Sequence, residues 1–374
     1  NNVHINIMKK INRLFYLTTI NLFSYRAQSI QVKSFVKSLC KFSNYNNKIF
    51  VAYSYSNIPN NYARYFKSFS KCIFQRRILI QTYICLQLFL NKSISKRDVF
   101  YSRDLFVLFL LSIIGFRTIH EYHHPSASIN SLILKIYNLL PNTKLVVISQ
   151  ALKNYVVKKH NCRNNDCLIL PSCYDNFEII KLPSKSICRK QLNMSKDKVY
   201  IIHTGNPYLD RGVENFKYIC QVSKKIVFIH IGGDSNQIER LKSYAKSKNI
   251  CNCKFIPHVE VELIRKYQYA ADFLFYIITE RTSTFWCCSP LKLPEYMASN
   301  TPIIASAIGS ITEVLDEETC FPFYEISKES IQSAVLRAIE NPNTAIKKAA
   351  NARKKVLKYF TMEKRAELLF KFIN

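Results

Sequence analysis

Short apolar runs rich in β-branched and aromatic residues alternate with helical patterns along nearly the whole chain of 374 residues. In the first half these runs predict strands at Arg13–Ile20, Lys48–Tyr53, Asp98–Tyr101, Arg117–Tyr122, Lys144–Ile148 and Cys167–Leu170. In the second half they predict strands at Val199–Thr204, Ile226–Ile231, Cys253–Ile256, Phe273–Ile277 and Pro302–Ala305. Strands that alternate with helices form parallel sheets with crossover helices, so the pattern predicts an α/β fold.

A polar, irregular stretch between Asp175 and Lys198 separates the two sets of strands. At roughly 100–200 residues per domain, a chain of this length is expected to form two domains. We predict a first domain over residues 1–178, a second over residues 179–345, and a C-terminal helix over residues 346–374 that packs across the domain junction. Each domain has the pattern of a doubly wound, Rossmann-like sheet, and the two would face each other across a ligand-binding cleft.

The chain is strongly basic, with 54 Lys and Arg residues against 25 Asp and Glu and a net charge of +29. This charge favours polyanions, phosphorylated ligands or an acidic membrane face without choosing among them. In the first domain, basic residues interleaved with aromatic ones would suit docking on anionic lipid. A solvated face produced by composition alone explains them as well. The set includes Lys9, Lys10, Lys33, Lys37 and Lys41.

Several common functional signatures are missing from the chain. There is no GxGxxG, GxxxxGK[ST] or GxSxG sequence, which argues against a dehydrogenase, a phosphate-loop kinase and an α/β-hydrolase. No Asp-x-Asp triplet occurs, so we expect neither a bound metal nor a cofactor. No nucleic-acid-binding signature is present, and nucleic acid is not an expected partner. No apolar run reaches the roughly 20 residues of a membrane span, so we expect no transmembrane helix. The 13 cysteines show no paired spacing and are expected to be reduced, which predicts a cytoplasmic protein, with peripheral contact on the inner face of a membrane left open.

The most informative segment begins at Cys288 with the sequence CSPLKLPE. Ser289 suits an N-cap and Pro290 suits the first helical position. The segment therefore predicts a helix that begins just after the strand Phe273–Ile277 and its loop.

Two charged residues follow inside this predicted helix. The start of a helix binds phosphate through its free N–H groups and partial positive charge, and Lys292 would add a full charge. Glu295 lies one turn further, where it could accept hydrogen bonds from the hydroxyls of a sugar. The alternative is an ordinary capped helix with an exposed glutamate.

With Ile311–Leu315, this segment resembles the donor-nucleotide motif of the retaining glycosyltransferases of family 4, within the glycosyl transferases group 1. The resemblance extends over nearly the whole chain and implies the GT-B architecture of two Rossmann-like domains. Its other anchors are Thr204–Val213, Val227–Asp234, Phe255–Val259, Asp98–Asp104, Tyr122–Pro125 and Val146–Leu152.

The resemblance also implies roles for individual residues. The donor pyrophosphate would be held by Arg211, by Lys292 and by the backbone of Ser289, Pro290 and Leu291, in a site to which Gly205 and Asn206 contribute. Glu295 would bind the ribose, Val259 the base, and His123 the reacting sugar region, where its imidazole could donate to a hydroxyl of the donor sugar or organise the acceptor. His123, Arg211 and Glu295 are thus the predicted catalytic residues.

Physical chemistry supports the role of Arg211. A pyrophosphate leaving group gains negative charge as the glycosidic bond breaks, so a fixed cation stabilises the transition state more than the ground state. The alternatives are a solvated turn residue for Arg211 and a histidine lining the core or cleft for His123.

The chain differs from the family pattern at two positions. Cys287 stands where the family often has the first glutamate of a Glu-x7-Glu pair, so that role is either absent or taken by Glu280. Asn206 stands where an arginine usually follows the glycine.

The function implied by the resemblance is transfer of a sugar from a nucleotide-diphosphate-sugar donor to a glycan or lipid-linked acceptor, with retention of configuration. Enzymes of this kind build bacterial polysaccharides and lipopolysaccharides. Two other functions remain open. One is a GT-B-like nucleotide-sugar epimerase, and the other is a noncatalytic basic protein that binds polyanions.

Overall fold

The computed structural model describes residues 13–23, 27–45, 49–54, 58–68, 77–90, 94–125, 129–175 and 184–373. The chain divides into two compact units, one of residues 1–175 with 362–374 and the other of residues 176–361. The domain boundary predicted at 178/179 and the predicted contributions of Lys9 and Lys10 lie outside the described residues.

The first unit is built on a parallel sheet. Its described strands are β1 (Arg13–Thr18), β2 (Ile49–Ser54), β3 (Phe66–Ser68), β4 (Val99–Ser102), β5 (Arg117–Tyr122), β6 (Thr143–Val147) and β7 (Cys167–Ile169). The accompanying helices are α1 (Ala27–Tyr45), α2 (Arg77–Leu90), α3 (Leu105–Ile113), α4 (Ile129–Leu139) and α5 (Gln150–Lys159). The strand order β3-β2-β1-β4-β5-β6-β7 reverses between β1 and β4, which makes the sheet doubly wound.

The second unit repeats this plan. Its strands are β8 (Val199–Thr204), β9 (Ile226–Ile231), β10 (Cys253–Ile256), β11 (Phe273–Tyr276), β12 (Ile303–Ser306) and β13 (Phe321–Phe323). Its helices are α6 (Lys185–Gln191), α7 (Phe216–Cys220), α8 (Ser235–Ser247), α9 (Val261–Ala270), α10 (Lys292–Ala298), α11 (Lys328–Glu340) and α12 (Pro342–Tyr359). The order β10-β9-β8-β11-β12-β13 places the switch point between β8 and β11.

The chain ends in two helices and not in the single helix predicted over residues 346–374. The first, α12, lies in the second unit, and the second, α13 (Met362–Ile373), lies in the first. Helix α13 packs against α1, where Phe370 stacks on Phe42 with ring centroids 5.2 Å apart and Leu369 is fully buried. The last helix therefore completes the core of the first unit.

The basic residues predicted to face a membrane are only partly exposed to solvent. Lys33 and Lys37 are half-buried on α1, whereas Lys41 is exposed. Across the described ranges, no helix combines the length and the apolar character that crossing a bilayer requires.

Candidate functional site

Two loops meet at the carboxyl ends of β8 and β11, on either side of the switch point where open α/β sheets bind ligands. The hydroxyls of Thr279 and Thr282, in the loop after β11, both donate to the carbonyl of Asp210 in the loop after β8, at 2.6 and 2.9 Å. Gly212 lies between them with a φ of 83°, and an added Cβ would approach Thr279 Cγ2 to 2.4 Å. The loops are thus tied together by contacts that require this glycine.

Two of the predicted residues place basic side chains where the loops after β8 and β11 meet. Arg211 is half-buried in the first loop, and Lys292 is the first residue of α10. Burial, together with the charge of Arg211, lowers the pKa of Lys292 to about 7, and Glu295 opposes both effects. Among the residues the structure describes, no carboxylate lies within 4.0 Å of either cation. Two basic groups held together without a carboxylate in direct contact form a site for an anion.

Gly205 brings the backbone close to this pair of cations. It follows β8 with a φ of 108°, and a Cβ added to it would lie 2.7 Å from Lys292 Nζ. The next residue, Asn206, is exposed and donates from Nδ2 to the hydroxyl of Tyr208 at 3.0 Å. The absence of a side chain at residue 205 leaves room for the ammonium beside the turn.

The helix predicted to begin at Ser289 and Pro290 begins instead at Lys292. Leu291 occupies the N-cap position without a side-chain cap, and the N–H of Leu293 bonds to the carbonyl of Pro290 in a turn. The reason is Pro294, which has no N–H and is tolerated only in the first turn of a helix. Ser289, Pro290 and Leu291 are therefore half-buried loop residues that lead into α10.

Glu295 is exposed on the first turn of α10. The surrounding protein raises the pKa of its carboxyl, while the charges of Arg265 and Lys292 act in the opposite direction. Both Arg211 and Glu295 affect the pKa of Lys292, so the structure brings these three predicted residues close together.

Three other positions considered in the sequence lie in loops of the second unit. Val259 is half-buried between β10 and α9, two strands away from β8 in the sheet. Cys287 is fully buried, and burial raises the pKa of its thiol to about 12, so it cannot stand in for a carboxylate. Glu280 is exposed in the loop after β11.

Sequence reasoning missed the buried groups behind Lys292. His203 Nε2 lies 3.4 Å from Lys292 Nζ, and the ring centroid of Tyr276 lies 5.8 Å from it. Tyr296 on α10 accepts the backbone N–H at the end of β8 at 2.7 Å and so ties the helix to the strand. A signal for part of this set exists in the sequence, because His203 and His230 both stand one residue before the end of a predicted strand.

His123, in the first unit, directly follows β5 and is held by a buried carboxylate. Its Nε2 lies 2.7 Å from Glu121 Oε1, which also accepts from Arg103 at 2.9 Å and from Arg365 at 2.7 Å. Burial, with Arg103, lowers the pKa of His123 to about 4 against the influence of Glu121. The imidazole is therefore neutral at pH 7, and its only hydrogen is on Nε2, where it is donated to Glu121. The other ring nitrogen, Nδ1, then carries no hydrogen and can only accept a hydrogen bond.

Comparisons with known proteins place this geometry in context. Residues 185–355 match the family model described as "Glycosyl transferases group 1", which covers nearly all of the second unit and a little under half of the chain. No sequence among the curated proteins shows a significant match.

Solved structures resemble the chain over almost its full length. A glycosyltransferase from Rickettsia africae ESF-5 is 12% identical, with a TM-score of 0.79 over 97% of this chain and 98% of that one. The chain has the GT-B fold. HepE of Anabaena, solved with UDP and glucose, is 13% identical, with a TM-score of 0.73 over 97% and 99%. WaaG, a glycosyltransferase involved in lipopolysaccharide biosynthesis, is 13% identical, with a TM-score of 0.67 over 95% and 99%.

These similarities confirm the predicted fold class and, for residues 185–355, the predicted match to the group 1 glycosyltransferases. At identities this low, the GT-B fold is what the solved structures establish. The activity has to be argued from the site.

Proposed function

We propose that this protein is a retaining, metal-independent glycosyltransferase that moves a sugar from a nucleotide-diphosphate-sugar donor to a glycan or lipid-linked acceptor. The observation that carries the proposal is the pair Arg211 and Lys292, two cations without a carboxylate partner among the described residues, at the switch point of the group 1 domain. A diphosphate supplies the missing negative charge, and each charge-assisted contact contributes about 1.5–3 kcal/mol.

The same pair would stabilise the transition state. As the bond between the sugar and the diphosphate breaks, negative charge accumulates on the leaving oxygen, and cations already in place need no reorganisation. Gly205 would let the donor approach the backbone, while Ser289, Pro290 and Leu291 would offer main-chain groups to the phosphates. In this proposal Glu295 binds the ribose hydroxyls and Val259 contacts the base.

We assign His123 to the reacting sugar. Because Glu121 takes its Nε2 hydrogen, the imidazole would accept a hydrogen bond from a sugar hydroxyl through Nδ1. A neutral acceptor orients the sugar without adding positive charge next to a carbon that becomes cationic as the bond breaks.

The structural neighbours suggest where to begin with donors and acceptors. HepE has been solved with UDP and glucose and also with UDP-glucose, which supports uridine nucleotides as the first donors to test. The involvement of WaaG in lipopolysaccharide biosynthesis supports a glycan or lipid-linked acceptor. The net charge of +29 supports a cytoplasmic protein in peripheral contact with anionic lipid.

Thermal unfolding with UDP, GDP and ADP tests the donor site. One nucleotide should raise the melting temperature of the protein, and Arg211→Ala should lose most of that increase because the phosphate contact is removed. Arg281→Ala is the matched control, since Arg281 is exposed and already pairs with Glu214 in the neighbouring loop. A melting temperature unchanged by every nucleotide would count against the proposal.

Product analysis then identifies the reaction. Incubation with a panel of nucleotide sugars and candidate acceptors should release free nucleotide together with a new glycosidic product of retained configuration. Conversion of one nucleotide sugar into another would indicate an epimerase. Polyanion binding that falls steeply with salt and survives the double change Arg211→Ala and Glu295→Ala would indicate a noncatalytic binder.

A further inference from the structure

Two buried histidines form a connected pair behind the proposed donor site. His203 on β8 and His230 on β9 are partners in the parallel register, and both side chains are fully buried. Their rings stack with centroids 5.0 Å apart, and their Nδ1 atoms are 2.9 Å from each other. The pair touches Lys292 at one end and the Gly-rich turn after β9 at the other.

The hydrogen bonds fix where each proton lies. His230 Nε2 is 2.9 Å from the carbonyl of Gly232, and a carbonyl only accepts, so this nitrogen carries the hydrogen. Burial lowers the pKa of His230 to about 3 and holds the pKa of His203 well below its usual value, so both rings are neutral. The Nδ1 of His230 is then an acceptor, and the Nδ1 of His203 must be the donor to it.

With the hydrogens arranged in this way, the ring nitrogen of His203 that faces Lys292 is unprotonated. Its Nε2 lies 3.4 Å from Lys292 Nζ and can only accept. Either an ammonium or a neutral amine can donate the single hydrogen that this contact needs. The histidine pair therefore holds the lysine in place in both protonation states, and the remaining valences of Nζ point away from the pair.

The charges around Lys292 disfavour the ammonium while the site is empty. Burial and Arg211 both act against it, and Glu295 on the same helix only partly compensates. The titratable and charged groups that interact with Lys292 from the neighbouring elements are Arg211, His203, His230, Tyr276 and Glu295. The hydroxyl of Tyr276 is buried and has no hydrogen-bond partner among the described residues, so it offers Lys292 no counter-charge.

We propose that the His203–His230 pair positions Lys292 as a proton-accepting amine, and that a nucleotide-diphosphate sugar entering the proposed donor site causes Lys292 Nζ to take up one proton from solvent. The step forms one N–H bond on Nζ, and the buffer acid that gives up the proton becomes its conjugate base. This inference rests on the proposed function, because it needs the diphosphate beside Arg211. His203 and His230 are positioning residues in this scheme and do not touch the substrate.

Calorimetric titration in two buffers of different ionisation enthalpy measures the proton directly. The ligand should be whichever of UDP-glucose, GDP-mannose and ADP-glucose binds, because a diphosphate esterified at both ends lacks the terminal phosphate that titrates near pH 6. With a pKa of about 7, free Lys292 is about one-tenth protonated at pH 8, so uptake should approach one proton there and fall to about one-tenth at pH 6. The affinity should fall about fivefold between pH 7 and pH 8.

Lys292→Arg provides the matched variant, because a guanidinium stays charged throughout this range. It should still bind the nucleotide sugar, with proton uptake near zero and an affinity that no longer depends on pH. If the unchanged protein binds the ligand with no more proton uptake than Lys292→Arg, the inference is wrong while the donor site stands. If none of the three nucleotide sugars binds, the proposed function fails and this inference fails with it.

Nitrogen NMR of protein labelled at histidine tests the pair without any ligand. His203 and His230 should both remain neutral from pH 6 to pH 8 and show opposite tautomers, with the hydrogen on Nδ1 of His203 and on Nε2 of His230. Titration of either ring in this range, or the same tautomer in both, would overturn the proposed positioning of Lys292.

Discussion

Replacing Arg365 with methionine should destabilise the first unit far more than an ordinary surface change. The Arg365 side chain is fully buried, its guanidinium lies 4.8 Å from the centre of the Phe35 ring, and it donates to Glu121 at 2.7 Å and to the carbonyl of Pro171 at 2.6 Å. Methionine fills a similar space but leaves the Glu121 carboxylate with less compensation and the carbonyl without its donor.

The expected cost follows from these contacts. Removing one partner of a buried ion pair costs about 3–5 kcal/mol. Arg103 still faces Glu121 in the variant, so we expect a loss of about 3 kcal/mol in the free energy of unfolding. Arg103 and Arg365 hold the pKa of Glu121 well below its usual value despite burial. The stability from this cluster is therefore present at neutral pH and is lost only in acid, as pH falls through that low pKa.

Urea unfolding followed by circular dichroism measures the loss, and hydrogen exchange of peptides from β4 and β5 assigns it to the first unit. Lys371→Met is the control, since Lys371 lies on the same helix, is 70% exposed and pairs with Glu367 on the surface. Such surface pairs contribute less than about 1 kcal/mol. If Arg365→Met costs no more than this control, the buried cluster does not stabilise the first unit.

Three further changes test the second unit. Lys292→Met should raise the melting temperature of the protein without nucleotide, and the increase should be larger at pH 6 than at pH 9. The reason is that between about pH 7 and the usual lysine pKa the unfolded chain binds more protons than the folded one. An equal increase at both pH values would contradict this. Gly212→Ala should cost about 1–3 kcal/mol in urea unfolding, since φ is 83° and the new Cβ would meet Thr279, and an unchanged midpoint would refute the strain. Cys287→Glu should lower the free energy of unfolding by about 3–5 kcal/mol, because position 287 is buried. It should not increase any transferase rate. A faster enzyme would show that a carboxylate at this position reaches the site.

The sequence by itself determined the class of fold and the elements that carry the site. Each of the predicted strands is present, because alternation of apolar runs with helical patterns is a local property of the chain. The strands β3 and β13, of three residues each, were not predicted. The predicted start of α10 was wrong because it followed the N-cap signal of Ser289 and did not take account of Pro294, which lies in the same segment.

Tertiary structure alone decided the chemistry of the individual groups. Arg365 reaches Glu121 across 244 residues of sequence, and His203 meets His230 only because β8 and β9 are neighbours in register. The neutral state of these histidines and the low pKa of Lys292 come from burial and from nearby charges. Desolvation and Coulomb interactions depend on distances in space, and the order of residues along the chain does not contain those distances.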